Sequence, residues 1–392
     1  MTMNQVLVFD PTANDPQSKV RGVGRYLQIL RENFPNWIFT NSIDHWSLKI
    51  DHSVFINPFF NLLSPPLFIK RKFQKQIAII HDLIPLKYPQ HFPIGLRGSL
   101  NVFLNKIALM GYDIVITDSE QSKKDIITIL KFPPERVKVI YPCLPRIFNQ
   151  VDSSQELVVR ENPIKNPSSY LLSPHYCLYV GDATWNKNLV NLAKAIKLQK
   201  LPCVFVGKVF NTIKFKNKNP KSQINTKFQT QNTKENNLDH LNLKNSDLFR
   251  VSDLGFRASH NPWQKELHEF MALAQDDKRF IFPGFISDEE LIQLYQKAIF
   301  NILISRDEGF GFSYVEASSQ KCPSILSDIP ILREISQNNA IFIIPEEPQT
   351  IVSAIKTIQN DSTLRDKLIK QTHERSIFFS QQSFIDGFNL VI

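Results

Sequence analysis

Long apolar runs are missing from this chain. No stretch approaches the roughly 18 consecutive apolar residues that a membrane-crossing helix needs. The opening, Met1 to Phe9, lacks the cationic start and apolar core of a secretion signal. Both absences set the expectation of a cytoplasmic protein. Cysteine is scarce as well: Cys143, Cys177, Cys203 and Cys322 are scattered without metal-ligand spacing, so buried small hydrophobes are the better reading than a metal site. No recognised nucleic-acid motif accompanies the basic residues, which leaves a basic nucleic-acid binder unsupported.

What is present is apolar content of 42% in 392 residues, enough for a sizeable core and long for one domain, so two are expected. The net charge of +9 is concentrated in two places. Residues 211–240 hold six lysines against Glu235 and Asp239, within an Asn-, Lys- and Gln-rich stretch, 211–262, that cannot build a core by itself. It reads as a flexible insertion, with an RNA- or partner-binding arm as the sharper alternative. Residues 61–150 hold thirteen Lys and Arg against six Asp and Glu. That excess could mark a face toward anionic lipid, an anionic substrate or nucleic acid, or plain solvated surface.

Along the chain, Val6 to Phe9 reads as a buried strand, and Val23, Tyr26, Leu27 and Leu30 recur at helical spacing after Gly22 and Gly24. Apolar runs at 53–56, 77–80, 114–117 and 137–140 are spaced for crossover helices, which points to parallel α/β architecture. His81 follows the run at 77–80, where it could bond a ligand in the crevice with Asp82 orienting it. Ser119 is placed to cap a helix through Leu130. Leu96, Leu100, Phe103, Leu104 and Ile107 share a helical face; packing on the sheet is the default, membrane contact the alternative. Periodicity is lost from Leu144 to Pro174, a linker, and restarts with Cys177 to Val180, the Gly181 to Asn188 loop and a helix. Ser287 and Glu290 form a capping box that opens a helix leading to the strand Ile299 to Ile304.

The chain is organised around the loop that follows, Ser305 to Glu316. Its glycines allow backbone N–H groups close to a phosphate, and the positive helix end favours the anion. Glu308 and Glu316 bracket the turn, and carboxylates beside a bound nucleotide belong against its hydroxyls.

Five strand-end motifs, in this order, resemble the family 4 retaining glycosyltransferases: Gly22-Val23-Gly24-Arg25-Tyr26, His81-Asp82-Leu83-Ile84-Pro85, Gly181 to Asn188, Pro283-Gly284-Phe285 with its Ser287 helix, and Glu308-Gly309-Phe310-Gly311 followed by Glu316. The resemblance covers nearly the whole chain outside 211–262. It implies an α/β GT-B fold, two Rossmann-like domains with parallel sheets facing an interdomain cleft. Residues 1–172 would form the acceptor domain and 173–375 the donor domain, with a final helix, 376–392, packing back on the first.

The resemblance also implies roles. Glu308 would contact the donor sugar, and the backbone of Gly309, Phe310 and Gly311 would lie near sugar and diphosphate. Glu316 would bond the ribose and Lys187 neutralise the diphosphate. His81 would contact the sugar, with Gly22 and Gly24 beside the diphosphate. No metal or cofactor is implied, and no convincing Asp-x-Asp site is present. The implied activity is retaining transfer of a hexose from a nucleotide sugar to a glycan or lipid-linked glycan in surface polysaccharide synthesis. The motif variants are most similar to mannosyltransferase members, which favours GDP-mannose over UDP-sugars. Contact with an anionic membrane at its inner face is a further expected partner; nucleic acid is not. A catalytically silent GT-B scaffold is the alternative. Three features depart from the family. Asp182 stands where an arginine is usual, with Arg306 or Lys208 as substitutes. Lys321 precedes Cys322-Pro323 in place of a glycine, and the 211–262 insertion is added.

Overall fold

The computed structural model describes residues 5–12, 23–42, 53–149, 176–210, 262–284 and 286–392. Gly22, the domain boundary at 172–173, Phe285 and residues 211–261 of the insertion lie outside the described residues.

Short runs rich in Val, Ile and Phe become strands that are apolar on both faces, the pattern of parallel strands covered on two sides. The first sheet comprises β1 (Gln5–Phe9), β2 (Ile38–Thr40), β3 (Ser53–Asn57), β4 (Lys75–Ile79), β5 (Ile114–Thr117) and β6 (Val137–Val139). Every pairing is parallel and the order is β2-β1-β3-β4-β5-β6. Residues alternate between two cores: Val6, Val8, Ile56 and Ile79 point one way, Leu7, Phe55 and Ala78 the other. Helix α1 (Val23–Asn33) covers the first face through Tyr26 and Leu30. Helices α2 (Ile84–Lys87), α3 (Gly95–Leu109) and α4 (Glu120–Asp125) follow, and α4 continues into a π-turn over Ile126–Leu130. Ser119 caps α4 by accepting from the Ser122 amide.

The second sheet comprises β7 (Cys177–Val180), β8 (Cys203–Val206), β9 (Phe280–Ile281), β10 (Phe300–Leu303), β11 (Ser324–Ser327) and β12 (Ile341–Ile343), again all parallel. Its order is β12-β11-β10-β7-β8-β9, so successive crossovers run outward in opposite directions from the β7–β10 pair. Helices α5 (Leu189–Lys197), α6 (Lys265–Ala274) and α10 (Pro348–Asn360) pack on one face. Helices α7 (Asp288–Lys297), α8 (Phe312–Ser319) and α9 (Pro330–Ser336) pack on the other. The Ser287–Glu290 capping box opens α7 with both bonds made. Leu144 and Phe148, just after the first sheet, sit in the second sheet's core.

After α11 (Ser362–Ser376), Phe379 still packs with the second sheet, whereas Phe384 and Phe388 of α12 (Gln381–Asn389) are buried against the first. The chain therefore crosses from one half to the other between Phe379 and Phe384. All four cysteines are buried free thiols. Among the described residues no helix is long and apolar enough to cross a membrane.

One default expectation is overturned. The apolar face of α3 does not pack on the sheet: Leu96 is 92% exposed, Phe103 61% and Leu100 57%. The inward face is instead built from Gly98, Asn105, Ala108 and Leu109. Asn101 donates to the Leu63 carbonyl at 2.8 Å, and Asn105 to those of Leu62 and Ser64 at 3.3 and 2.7 Å. These amides satisfy carbonyls of the 62–64 segment, and small residues let the helix approach, so the large side chains are left outside.

Candidate active site

The crossover reversal at β7–β10 opens a crevice outside the carboxyl ends of these two strands, the place where ligands bind in open α/β sheets. Two loops leave from there. After β7 the chain makes a 3₁₀ turn, Trp185–Lys187, and Asn188 takes a left-handed conformation, φ 60°, before α5. After β10 comes Ser305 to Gly311. The loops are tied together: the Arg306 amide donates to the Asn186 carbonyl at 2.7 Å, and the Asn186 side chain to the Asp307 carbonyl at 3.1 Å.

This bracing places Lys187 Nζ 2.6 Å from Glu308 Oε1, which also accepts from Ser305 Oγ at 2.6 Å. Burial would lower the lysine's pKa, but the charge and hydrogen bond of Glu308, with Asp182 and Asp82, raise it, and Lys187 is held as a cation. Gly309 then runs against the end of β4. A Cβ there would lie 2.8 Å from the His81 carbonyl oxygen, so only glycine allows this approach. The Gly309 carbonyl accepts from Ser119 Oγ at 2.9 Å and Ser122 Oγ at 3.2 Å, joining the two halves. Phe310 turns into the core against Phe312 and Phe379. Gly311, φ +100°, is the N-cap of α8; a Cβ would meet the Ile335 side chain at 2.9 Å.

Each acid of the loop has a cation. Asp307 pairs with Lys87 at 2.5 Å, and Lys87 also reaches Asp125 at 2.8 Å. Glu316, one helical turn into α8, accepts from Tyr295 Oη at 3.0 Å and lies 3.5 Å from Arg25 Nε. Arg25 grips Asp288 with two bonds of 2.6 and 2.7 Å. Lys87 and Arg25 come from the first half, Lys187 from the second. The junction is thus assembled by opposite charges across the two sheets.

His81 sits where β4 ends. Its Nδ1 is 2.6 Å from Asp118 Oδ2 and its Nε2 3.0 Å from the Pro58 carbonyl oxygen. Burial would push the imidazole down, yet the Asp118 charge and hydrogen bond, the Pro58 carbonyl and Asp82 raise its pKa above the ordinary value. As the imidazolium, both ring nitrogens donate. The orienting carboxylate is therefore Asp118 and not Asp82, which corrects the expectation from sequence. Asp82 points its Oδ1 back to the Ile84 amide at 3.0 Å, capping α2. Burial raises the Asp82 pKa, with His81, Lys187 and Glu308 all close enough to influence it.

Of the residues singled out from sequence, His81, Lys187, Glu308 and Gly309 converge at the junction. Glu316 lies on α8 facing Arg25 and Tyr295. Gly24 is buried in α1 beside Arg25. Asp182 is exposed and spends Oδ1 on the Ala183 amide. Arg306 is committed to Glu346 at 2.7 Å, Glu266 at 3.4 Å and the Trp185 carbonyl, with its guanidinium over the Trp185 ring. Lys208 is exposed in the turn after β8. Among the described residues no group of three His, Cys, Asp or Glu is placed to hold a metal ion.

Residues 255–375 match the family described as glycosyl transferases group 1. This part of the chain is a group 1 glycosyltransferase domain. It contains the Glu308 loop, α8 and every strand of the second sheet after β8. The O-antigen chain mannosyltransferase RfbU of Salmonella typhimurium is 40% identical over 287 residues, 73% of this chain and 61% of that protein. The serotype-specific mannosyltransferase WbdA of Escherichia coli is 34% identical over 113 residues, 29% of this chain and 13% of that protein. The chain thus spans less than two thirds of the length of these relatives. In fold, it is similar to sucrose-phosphate synthase from Thermosynechococcus elongatus, with a TM-score of 0.65 and 15% identity, covering 98% of each chain. The group 1 domain and the sheet that precedes it together form the GT-B fold.

Proposed function

We propose that the protein is a retaining glycosyltransferase that moves a hexose, mannose by preference, from a nucleotide sugar to a glycan or lipid-linked glycan acceptor. The observation that carries this reading is the meeting of Lys187, Glu308 and His81 at the crevice beside the β7–β10 pair, within and next to the group 1 domain. The names of RfbU and WbdA support mannose and surface polysaccharide as substrate classes, and GDP-mannose as the first donor to test.

Cleaving the bond between an anomeric carbon and a diphosphate leaves negative charge on phosphate and positive character on the sugar. Lys187 and the N-terminus of α8 would stabilise the first. Glu308 and the sugar would then be partners, and Glu316 would receive the ribose hydroxyls. The acceptor hydroxyl attacks on the face from which the diphosphate leaves, and the diphosphate takes its proton, without metal. Lys187 moves from Glu308 to the diphosphate when donor binds.

The test is release of nucleoside diphosphate from a panel of GDP-, UDP- and ADP-sugars. GDP-mannose turnover that Lys187→Met abolishes, with GDP-mannose binding at least about tenfold weaker, is the expected result. Neither turnover nor binding of any nucleotide sugar by the wild type would overturn the reading and leave the scaffold alternative, which Asp182 favours.

A further inference from the structure

Helix α3 is inside out. Its polar and small residues, Asn101, Asn105, Gly98 and Ala108, face the protein, and its large apolar residues face solvent. Leu96, Leu100, Phe103, Ile107 and Met110 are 92, 57, 61, 45 and 61% exposed. At 3.6 residues per turn they form one stripe about 80° wide along the helix. Arg97 lies about 100° to one side of Leu96 and Lys106 about 80° to the other, and both are exposed. The helix contains no acid.

The stripe has company. The segment that receives the Asn101 and Asn105 bonds runs alongside α3 and carries exposed Leu67 and Ile69, then exposed Lys70 and Lys72. Of the seven Lys and Arg in residues 61–110, Arg71 is paired with Asp113 and Lys87 with Asp125 and Asp307, while Lys70, Lys72, Arg97 and Lys106 stand exposed on this surface; the single acid of the stretch is Asp82. Asp82 is committed to the Ile84 amide at the junction, away from this surface.

We infer that α3 and the 67–72 segment form a docking surface for an anionic lipid bilayer, with the stripe in the acyl boundary and the cations at the headgroups. An apolar face bordered on both sides by cations is what such an interface selects. Two copies meeting through the same stripe would bring like charges together, and a convex, straight stripe offers no groove to a peptide. Anionic headgroups supply the missing counter-charge, and the helix lies in the plane of the membrane. This proposal does not depend on the glycosyltransferase reading, since it concerns a surface away from the Lys187–Glu308 junction.

Full-length protein is mixed with vesicles of phosphatidylcholine alone or with phosphatidylglycerol, and bound protein is measured by flotation. Binding to the anionic vesicles should exceed binding to neutral ones and fall as salt is added. Leu100→Ser with Phe103→Ser should weaken it by at least about tenfold. Arg97→Gln and Lys106→Gln should each weaken it by about fivefold. All variants should melt with the wild type, because these side chains are exposed. Failure of the wild type to bind anionic vesicles would overturn the inference. So would binding that the α3 variants leave intact, or a lipid-free dimer that Leu100→Ser with Phe103→Ser dissolves.

Discussion

Asp118→Asn isolates one charge at the junction. The substitution keeps the side chain's shape and an oxygen acceptor, and removes the negative charge 2.6 Å from His81 Nδ1. Burial, the strongest influence on His81, would then be opposed only by the neutral amide oxygen, Pro58 and Asp82, so the imidazole shifts toward its neutral form. The sign of the stability effect follows. In the wild type the folded pKa of His81 lies above the unfolded value of about 6.5. The pairing therefore contributes fully below that value and is lost as pH rises through the folded pKa. The His81 side chain is 18% exposed and that of Asp118 2%, so little solvent screening applies. A charge-assisted hydrogen bond of this kind contributes about 1.5–3 kcal/mol. The variant is expected to be about 2 kcal/mol less stable at about pH 6, with the gap narrowing toward about pH 9. Urea unfolding across that range, with the His81 ring followed by NMR, provides the measurement. A gap independent of pH, or a wild-type His81 that titrates at or below the ordinary value, would refute the reasoning.

Two further substitutions probe the packing that holds the site. Gly309→Ala places a methyl 2.8 Å from the His81 carbonyl oxygen and 3.1 Å from Asp82 Cβ, backbone on one side and a capped residue on the other. It should cost about 1–3 kcal/mol as overpacking and reduce nucleotide release; thermal melting and turnover identical to wild type would show that the loop has room. Phe388→Ala removes a fully buried ring stacked edge-on against Phe34, Trp37 and Phe384. A loss of about 3–5 kcal/mol in urea is expected, and a loss below about 1 kcal/mol would show that α12 does not anchor on the first sheet.

The strands, the capping box and the strand-end loops were legible in the sequence because each rests on local rules. Val-, Ile- and Phe-rich runs of four or five residues need only a parallel sheet, and Ser287 with Glu290 needs only one turn of helix. β2, an edge strand of three residues that are all half-buried, was not picked out. The partner of His81 was missed although a signal existed: β4 and β5 pair Ile77 with Ile114 and Ile79 with Ile116, and the same offset carried two residues on sets His81 beside Asp118. Reading it requires knowing which strands are neighbours. Lys87, Arg25 and Tyr295 were passed over for the same reason, since their carboxylates come from distant chain. Helix α3 misled because its period was read correctly while its inward face was chosen by two asparagine amides that periodicity does not weigh. The cations expected to replace the arginine missing at Asp182 also differ: Arg306 is bound up with Glu346 and Trp185, a commitment invisible before the fold is known.

Two hydroxyls, those of Ser119 and Ser122, share the single carbonyl oxygen of Gly309, and Ser119 also caps its own helix. The joint between the halves consequently has two donors for one acceptor and no slack at its glycine. Losing the Ser122 hydroxyl leaves the Gly309 oxygen bonded to Ser119, but it strips the His81 carbonyl of its 3.0 Å bond from Ser122 Oγ, so the loss is felt at His81. A methyl at position 309 has no such backup. A change at Ser122 therefore acts through the end of β4, whereas a methyl at 309 opens the joint itself.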